Sequence, residues 1–230
     1  MLSFQTLLFA LLGGILPALL WLWFWLKQDK KRPELRGMII LAFIAGMITV
    51  PIVLPLEQFA DTYFSGTIVI ILWSAIEEIS KYAFAYFIVL KRKAVDEPID
   101  AVIYMITVAL GFAALENTLF LLNPIMDGDF VSTIINGNLR FLGATLLHTL
   151  SSAVVGVMIA LSFYRKKTLK NTYIFFGLVL AILLHSLFNF FIMEGGGEKM
   201  LTVFAFVWIG IIILIFLFEK IKRIKNKLIK

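Results

Sequence analysis

The stretch Trp73–Tyr82, WSAIEEISKY, places two adjacent glutamates and a lysine inside the apolar run Thr67–Leu90. At about 1.5 Å of rise per residue, a helix of this length crosses ~30 Å of hydrocarbon. Glu77, Glu78 and Lys81 then lie near its middle, where an ionised group costs roughly 2.5 kcal/mol or more unless it faces protein, water or a partner. Lys81 can neutralise one carboxylate within its own helix. The second carboxylate must therefore be protonated, contact a group on another helix, or take part in the function of the protein.

The composition indicates a membrane protein. Of the 230 residues, 61% are hydrophobic and only 16% are charged, which a soluble domain could not keep in water. The absence of cysteine excludes disulfides, thiolate nucleophiles and sulfur-ligated metals. The net charge of +6 does not indicate nucleic acid binding, because the basic residues lie in short links between apolar runs.

Seven apolar runs predict an all-α, polytopic membrane helical bundle of about seven transmembrane helices. We expect one integral-membrane domain, residues 1–230. The first run is too long for a signal peptide and has no basic segment before it, so we expect a retained helix. The runs are Phe4–Leu26, Gly37–Leu56, Thr67–Leu90, Ala101–Leu122, Leu139–Tyr164, Thr172–Met193 and Leu201–Phe218.

The distribution of Lys and Arg predicts the orientation of this bundle. Of the 21 basic residues, 18 lie in the first, third and fifth links and in the C-terminal tail, which share one side. The positive-inside rule places that side in the cytoplasm and the N-terminus outside. The outer links carry acids instead, among them Glu57, Asp61 and Asp127. We therefore expect an integral membrane protein.

Polar side chains of four predicted spans lie at similar depth in the outer half of the bundle. The fourth span should start cleanly, with Asp96 as its N-cap and Pro98 in its first turn. Ser152, Gly156 and Ala160 recur every four residues on the fifth span and predict close helix packing. The polar layer comprises Glu77 and Glu78 of the third span, Glu116 and Asn117 of the fourth, His148 of the fifth, and His185 and Asn189 of the sixth, with Lys81 near the midplane.

Each of these polar groups also has a purely structural interpretation. Glu and Lys within one helix can form a structural ion pair, and a membrane histidine can be a hydrogen-bonded packing residue. Asn189, one turn from His185, can simply hold the imidazole ring. Glu116 has no residue of opposite charge within a helical turn, which makes it the hardest to explain structurally. Several acids and two histidines at one depth therefore favour a functional site.

A peptide hydrolase is the chemistry that such a set supports. A glutamate in a low-dielectric pocket can act as a general base on water, and a second carboxylate or a histidine can protonate a leaving group. Histidine and asparagine can donate hydrogen bonds to the oxyanion of a tetrahedral intermediate. The sequence requires no cofactor. His148, His185 and Glu116 are candidate zinc ligands, although the HExxH spacing that would specify zinc is absent.

Three short motifs on separate predicted helices resemble the PrsW family of intramembrane proteases. They are EEISK (Glu77–Lys81), GFAALEN (Gly111–Asn117) and HSLFN (His185–Asn189), and the DEPIDAVIY segment before GFAALEN is also similar. The wider superfamily of CAAX-prenyl endopeptidases and Abi proteins shares a double glutamate, F-x-x-x-polar and H-x-x-x-N. Glu116 stands where the prenyl endopeptidases carry histidine, so their residue roles do not transfer wholesale.

The resemblance implies a site-one type of protease of the bacterial plasma membrane, with its catalytic core at about 67–193. Such a protease clips a membrane-anchored anti-sigma factor on its extracytoplasmic side. It implies that Glu77 or Glu78 activates water while Lys81 holds the other. His185 and Asn189 would be oxyanion donors, and Glu116 and His148 would assist proton transfer or positioning. The partners implied are a single-span substrate and the lipid bilayer, with no nucleic acid.

Two other classes of protein remain open from the sequence. A proton-coupled transporter would also keep buried Glu, His and Lys, but it would usually show inverted repeats or helices broken by Gly or Pro, which we do not find. A non-catalytic membrane adaptor would use the polar layer only to fix helix register, and it would tolerate apolar replacement of Glu116.

Overall fold

The computed structural model describes residues 3–29, 33–129, 133–135, 139–194 and 196–225, without the side chains of residues 140, 194 and 196–200. Lys30, Lys31 and Arg32 of the basic first link lie outside the described residues. Two π-helical turns, Tyr86–Leu90 and Arg140–Ala144, follow α3 and precede α5. The long helices are α1 (Phe4–Gln28), α2 (Arg36–Tyr63), α3 (Thr67–Ala85), α4 (Pro98–Met126), α5 (Thr145–Leu161), α6 (Lys167–Glu194) and α7 (Gly196–Ile221).

Helices long and apolar enough to span a membrane make up most of the described chain. Six meet both conditions, which confirms the predicted polytopic helical bundle. The helix that fails is α3, because Glu77, Glu78 and Lys81 lie within its 19 residues. Its charged centre contacts α2, α4, α5 and α6, so protein rather than lipid surrounds these groups. The orientation across the bilayer stays a prediction from the Lys and Arg distribution.

Helix α4 forms the centre of the bundle. It is apolar on all sides, and a helix of that kind is stable only when other helices cover it. Every residue from Pro98 to Ala114 is buried, and α1, α2 and α5 make the largest contacts with it. The polar residues at its far end, Glu116 and Asn117, are therefore fixed in position by a rigid core element.

Glycines allow the backbones of neighbouring helices to approach α4 closely. A methyl group at Gly46 of α2 would overlap the carbonyl oxygen of Val108, and one at Gly111 would overlap that of Phe43. On the other side, a Cβ at Gly156 would lie 2.8 Å from Cα of Val102. The stripe of small residues predicted on the fifth span thus packs against α4, as small residues do in membrane helices.

Helix α2 is longer than its apolar run. The prediction placed Glu57 and Asp61 in an outer link, which is wrong because both lie on the last turns of the helix. Pro51 and Pro55 remove two hydrogen-bond donors without ending the helix. The chain then turns through Gly66, whose φ of 63° is readily adopted only by glycine, and begins α3.

The start of α4 differs from the prediction by one residue. The N-cap is Glu97, not Asp96, and Pro98 is the first helical residue. The side chain of Asp100 accounts for the shift, because one of its oxygens accepts the backbone N–H groups of Asp96 and Glu97, each at 2.8 Å. This carboxylate satisfies two donors and also lies in the first turn, where negative charge is favourable.

Candidate active site

Glu78 is fully buried and surrounded by hydrogen-bond donors from three helices. Its Oε1 accepts from Nζ of Lys81 at 2.7 Å and from Nδ1 of His185 at 2.9 Å. Oγ of Ser151 also lies 3.0 Å from Oε1, and Oγ of Ser152 donates to Oε2 at 2.8 Å. A buried carboxylate with this many donors is held as an anion in a fixed geometry. Glu78 therefore links α3 to α5 and α6.

Lys81 lies at the centre of the buried charges. Its ammonium donates to Glu78 and to Nδ1 of His148 at 2.9 Å, and it lies 3.1 Å from Oε2 of Glu77. The ammonium also stands 4.3 Å from the ring centroid of Phe112, within the range of a cation–π interaction. The lysine thus forms an ion pair with both glutamates, and of the two it hydrogen-bonds only to Glu78.

The hydrogen bonds of His148 determine which ring nitrogen carries its proton. An ammonium can only donate, so Nδ1 accepts from Lys81 and the proton lies on Nε2. Nε2 then donates to Oε2 of Glu116 at 3.0 Å. The ring of His148 packs against Phe112 at 5.2 Å and edge-on against His185 at 5.0 Å. Glu116 of α4, remote from Lys81 in sequence, is thereby coupled to it through one imidazole.

Glu77 and His185 face each other across the site. Because a carboxylate only accepts, Nδ1 of His185 donates to Glu78, and Nε2 is directed to Glu77, with 3.9 Å between Nε2 and Oε1. Oε2 of Glu77 is buried without a hydrogen bond, although Lys81 and His148 lie 3.1 and 3.7 Å away. Glu77 is thus the carboxylate whose hydrogen-bonding capacity is left unused.

A cavity of about 630 Å³ opens in front of these side chains. Glu77, Glu116, His148, His185 and Asn189 line it, whereas Glu78 lies behind them. The cavity extends along α2 to the exposed side chains of Gln58 and Asp61, where it reaches the protein surface. The site is therefore open at the end of α2 that is farthest from Arg36.

The two asparagines of the predicted site differ in their surroundings. Asn189 is half-buried and lines the cavity one turn beyond His185. Asn117 is buried, and its amide nitrogen donates to Oγ1 of Thr145 at 2.9 Å. Asn117 thus ties α4 to the start of α5, which carries His148 one turn later.

Three side chains of this site have the geometry to hold a metal ion. Ligand atoms of Glu77, His148 and His185 all lie within 4.8 Å of one another, and all three residues are buried. Oε2 of Glu77 is also buried without a hydrogen bond. Two imidazoles and a carboxylate are a ligand set that zinc accepts, and Glu78 on Nδ1 of His185 supplies the outer carboxylate that commonly orients such a ligand. The residues present therefore fit a divalent metal, with Glu77 in the place that the sequence assigned to Glu116.

The structure brings the predicted polar layer together and adds residues that sequence reasoning missed. Ser151 was not singled out, and Ser152 was assigned only to packing, yet both contact Glu78. Their position one turn after His148 on the same helix was the signal available. Glu57 and Asp61 were also missed, because the predicted apolar run ended at Leu56 and both acids were assigned to an outer link.

A helical membrane bundle with buried carboxylates and histidines around an open cavity defines a class of membrane-embedded hydrolases. Residues 34–218 match the family model described as PrsW family intramembrane metalloprotease. The chain belongs to this family, and it is an integral membrane protease of the bacterial plasma membrane.

Curated relatives cover most of the chain. It is 28% identical over 190 residues to Protease PrsW of Halalkalibacterium halodurans, covering 79% of this chain and 83% of that protein. It is 27% identical over 192 residues to Protease PrsW of Geobacillus kaustophilus, covering 79% of this chain and 78% of the relative. Protease PrsW of Shouchella clausii is 22% identical over 218 residues, with 92% and 96% coverage. No solved structure matches the chain significantly.

Proposed function

We propose that this protease cuts a membrane-anchored protein close to the extracytoplasmic face of the membrane. The observation that carries the proposal is the convergence of Glu77, Glu116, His148, His185 and Asn189 on one open cavity. The cavity opens at the end of α2 opposite Arg36, and the positive-inside rule assigns that end to the exterior. A substrate segment just outside the bilayer would therefore reach the site without unfolding a transmembrane helix.

Glu77 is the group that we assign to water activation. It lines the cavity, it is buried, and one of its oxygens makes no hydrogen bond. As water attacks the carbonyl carbon of the scissile bond, its proton passes to the Glu77 carboxylate. Glu78 cannot take this role in the same geometry, because donors from α3, α5 and α6 already surround it.

The remaining groups are assigned to the tetrahedral intermediate and its collapse. The amide of Asn189 can donate to the oxyanion, and Nε2 of His185 can do so when it carries a proton. Nε2–H of His148, hydrogen-bonded to Glu116, can deliver its proton to the leaving amine while Nδ1 takes a proton from the Lys81 ammonium, so that the imidazole stays neutral. The C–N bond then breaks, and Glu77 holds the proton that the attacking water released.

Glu77, His148 and His185 are the residues that we propose hold a divalent metal, with zinc the ion that best fits their donor atoms. Such an ion supplies Lewis-acid polarisation of the carbonyl group and of water. Nε2 of His185 would then be a ligand through its lone pair, which excludes it as an oxyanion donor. The Glu77 oxygen bound to the ion could not accept a proton from water, so only the other oxygen of Glu77 would remain as the base. Lys81 would exchange its contact with Nδ1 of His148 for a closer contact with Glu78.

The substrate that we propose is a single-span anti-sigma factor, cut in a first step before a second protease acts within the membrane. This assignment comes from the family resemblance of the EEISK, GFAALEN and HSLFN motifs. All the proposed catalytic residues lie within residues 67–193, which supports that segment as the catalytic core of a single domain. Helix α2 completes the wall of the cavity from outside this segment.

The test is purified full-length protein in detergent with candidate single-span substrates, followed by mass spectrometry of the fragments. We expect Glu77→Gln to lower kcat about 100-fold or more, because it removes the base while preserving shape. Glu219→Gln, at an exposed carboxylate on α7, is the matched control and should keep full activity. Cleavage at the wild-type rate by Glu77→Gln would refute the assignment.

The same purified protein is used to test whether cleavage depends on a bound metal. Treatment with a chelator should abolish cleavage, and zinc should restore it. His185→Ala should reduce the zinc retained per protein, measured by elemental analysis independently of activity. Full cleavage after complete metal removal would support the metal-free mechanism and remove the proposed metal ligation.

A further inference from the structure

The outer mouth of the cavity carries two carboxylates that the proposed chemistry does not use. Glu57 and Asp61 lie four residues apart on α2, and both line the cavity. Glu57 is half-buried, and the carboxyl groups of Glu77 and Glu116 line the same cavity. Lys81 does not line the cavity, and its ammonium is already held by Glu77, Glu78 and His148. The two acids are thus available to a ligand in the cavity.

The α2 wall of the cavity changes from apolar to acidic toward the mouth. Val53 packs against Phe112, whose ring lies 5.2 Å from that of His148, so Val53 is level with the catalytic groups. Glu57 and Asp61 follow one and two turns later on the same face, about 6 and 12 Å along the helix. In an extended substrate, these distances correspond to about two and four residues from the cut bond, at ~3.3 Å per residue.

The remaining described side chains of the cavity do not offset this negative charge. Among them there is no Lys or Arg, and Glu77, a further carboxylate, is buried in the wall with one oxygen that makes no hydrogen bond. A cleft lined by charge of one sign, with low-dielectric walls, concentrates ligands of the opposite sign. Helix α2 is 28 residues, or about 42 Å, long, which exceeds the ~30 Å of hydrocarbon. Glu57, in its last two turns, therefore lies near the membrane boundary, where low-dielectric surroundings strengthen the attraction between a carboxylate and a cation.

From this wall we infer that the protease selects substrates with a Lys or Arg two to four residues from the cut bond. The inference rests on the proposed function, since it specifies the substrate of the same site. The outer flanks of membrane spans usually carry few basic residues. A basic residue there would therefore distinguish the substrate from most other single-span proteins.

The test uses three synthetic single-span peptides in detergent micelles. They share one apolar helix and differ only in the adjoining segment, which carries Lys, Gln or Glu at the same positions. We expect kcat/KM to fall in the order Lys, Gln, Glu, with a Lys-to-Gln ratio of about three to ten at low salt. The ratio should shrink as ionic strength rises, because screening weakens attraction at the open mouth.

Variants of the protein test whether Glu57 and Asp61 cause the preference for the Lys peptide. Glu57→Gln and Asp61→Asn should each lower the Lys-to-Gln ratio of kcat/KM, with both peptides measured on the same variant. Glu57→Lys should instead favour the Glu peptide. Asp127→Asn is the matched control, since Asp127 is an exposed acid at the end of α4 that does not line the cavity. It should keep the wild-type ratio.

Two results would overturn the inference. Equal rates for the Lys and Gln peptides would show that the protease does not select substrates by the charge of this segment. Loss of a second bound divalent metal in the Glu57→Gln, Asp61→Asn double variant, with an unchanged peptide ratio, would show that these acids hold a cation instead. If no peptide is cut, the proposed function fails, and binding of the same peptides to the Glu77→Gln protein still measures the charge preference.

Discussion

Two glutamates that are adjacent in sequence have opposite environments in the site. Successive residues on a helix point about 100° apart, so Glu77 and Glu78 cannot share surroundings. Glu78 is directed between α5 and α6, where hydroxyl, imidazole and ammonium groups donate to it. Glu77 is directed to the cavity and retains an oxygen without a hydrogen bond. The two glutamates thus differ in that only Glu77 lines the cavity, whereas Glu78 joins three helices.

Replacing Glu78 should harm stability first. Glu78→Gln leaves the Lys81 ammonium buried without its main anion, and breaking a buried ion pair costs about 3–5 kcal/mol. We expect a lower thermal unfolding midpoint in detergent and reduced accumulation in the membrane. The double variant Glu78→Gln, Lys81→Met should recover part of the loss, because it removes the unpaired charge. A Glu78→Gln protein as stable as wild type would contradict the structural role.

At the scale of elements, α4 positions the site because its neighbours approach it so closely. Gly46 and Gly111 each lie against a backbone carbonyl of the facing helix, so α2 and α4 cannot separate slightly to admit a side chain without moving a whole helix. Val53 and Glu57 on α2 are thereby held opposite Phe112 and Glu116 on α4. The width of the cavity follows from this helix crossing.

Alanine at either glycine should widen the crossing between α2 and α4. Gly46→Ala and Gly111→Ala should each destabilise the protein by about 1–3 kcal/mol, the usual cost of overpacking. Gly37→Ala, on the same α2 but with no heavy atom within 4 Å of the added methyl, should be neutral or slightly stabilising. Thermal unfolding of the three variants in one detergent gives the comparison. Equal midpoints for all three would show that the bundle adjusts freely.

The link between α1 and α2 is attached to α4 through a protonated carboxyl group. Burial, and then the neighbouring Asp100, raise the pKa of Glu34 to about 8 from its usual 4.5. The hydroxyl of Tyr104 donates to Glu34, whose own proton can serve a hydrogen bond to Asp100. Near neutral pH this contact therefore retains a proton that the unfolded chain would release.

This proton makes stability dependent on pH. Between about pH 4.5 and pH 8 the folded state binds a proton that the unfolded state lacks, so stability falls as the pH rises through this range and levels off above about pH 8. Glu34→Gln should flatten that part of the profile of unfolding midpoint against pH, whereas Glu219→Gln should not. A profile unchanged by Glu34→Gln would show that this carboxyl does not titrate in the range.

At the scale of the whole molecule, orientation decides which compartment supplies the substrate. The chain has no cysteine, so single cysteines can be introduced without a background signal. Cysteine at Asp127, an exposed position at the end of α4, should react with a membrane-impermeant thiol reagent in intact cells. Cysteine at exposed Lys93 should react only after lysis. The reverse pattern would place the cavity mouth in the cytoplasm and overturn an extracytoplasmic cut.

The sequence by itself determined the class of protein, the approximate spans and the residues of the polar layer. Long apolar runs must be helical in a bilayer, because hydrocarbon offers no partner for backbone groups. Charged residues inside such runs are costly enough to be noticed, as with Glu77, Glu78 and Lys81. Helix ends were predicted less well. The apolar run ends at Leu56, whereas α2 continues to Tyr63, with Pro51 and Pro55 inside it.

Only the tertiary structure decided how the polar residues are arranged around the cavity. Which glutamate faces the cavity, which nitrogen of His148 bears the proton, and that Glu57 and Asp61 reach the mouth all depend on contacts between helices far apart in sequence. Such contacts are set by the rotation of each helix about its axis and by the glycines that fix its distance from α4. A linear pattern gives depth along a helix but not the direction in which a side chain meets another helix.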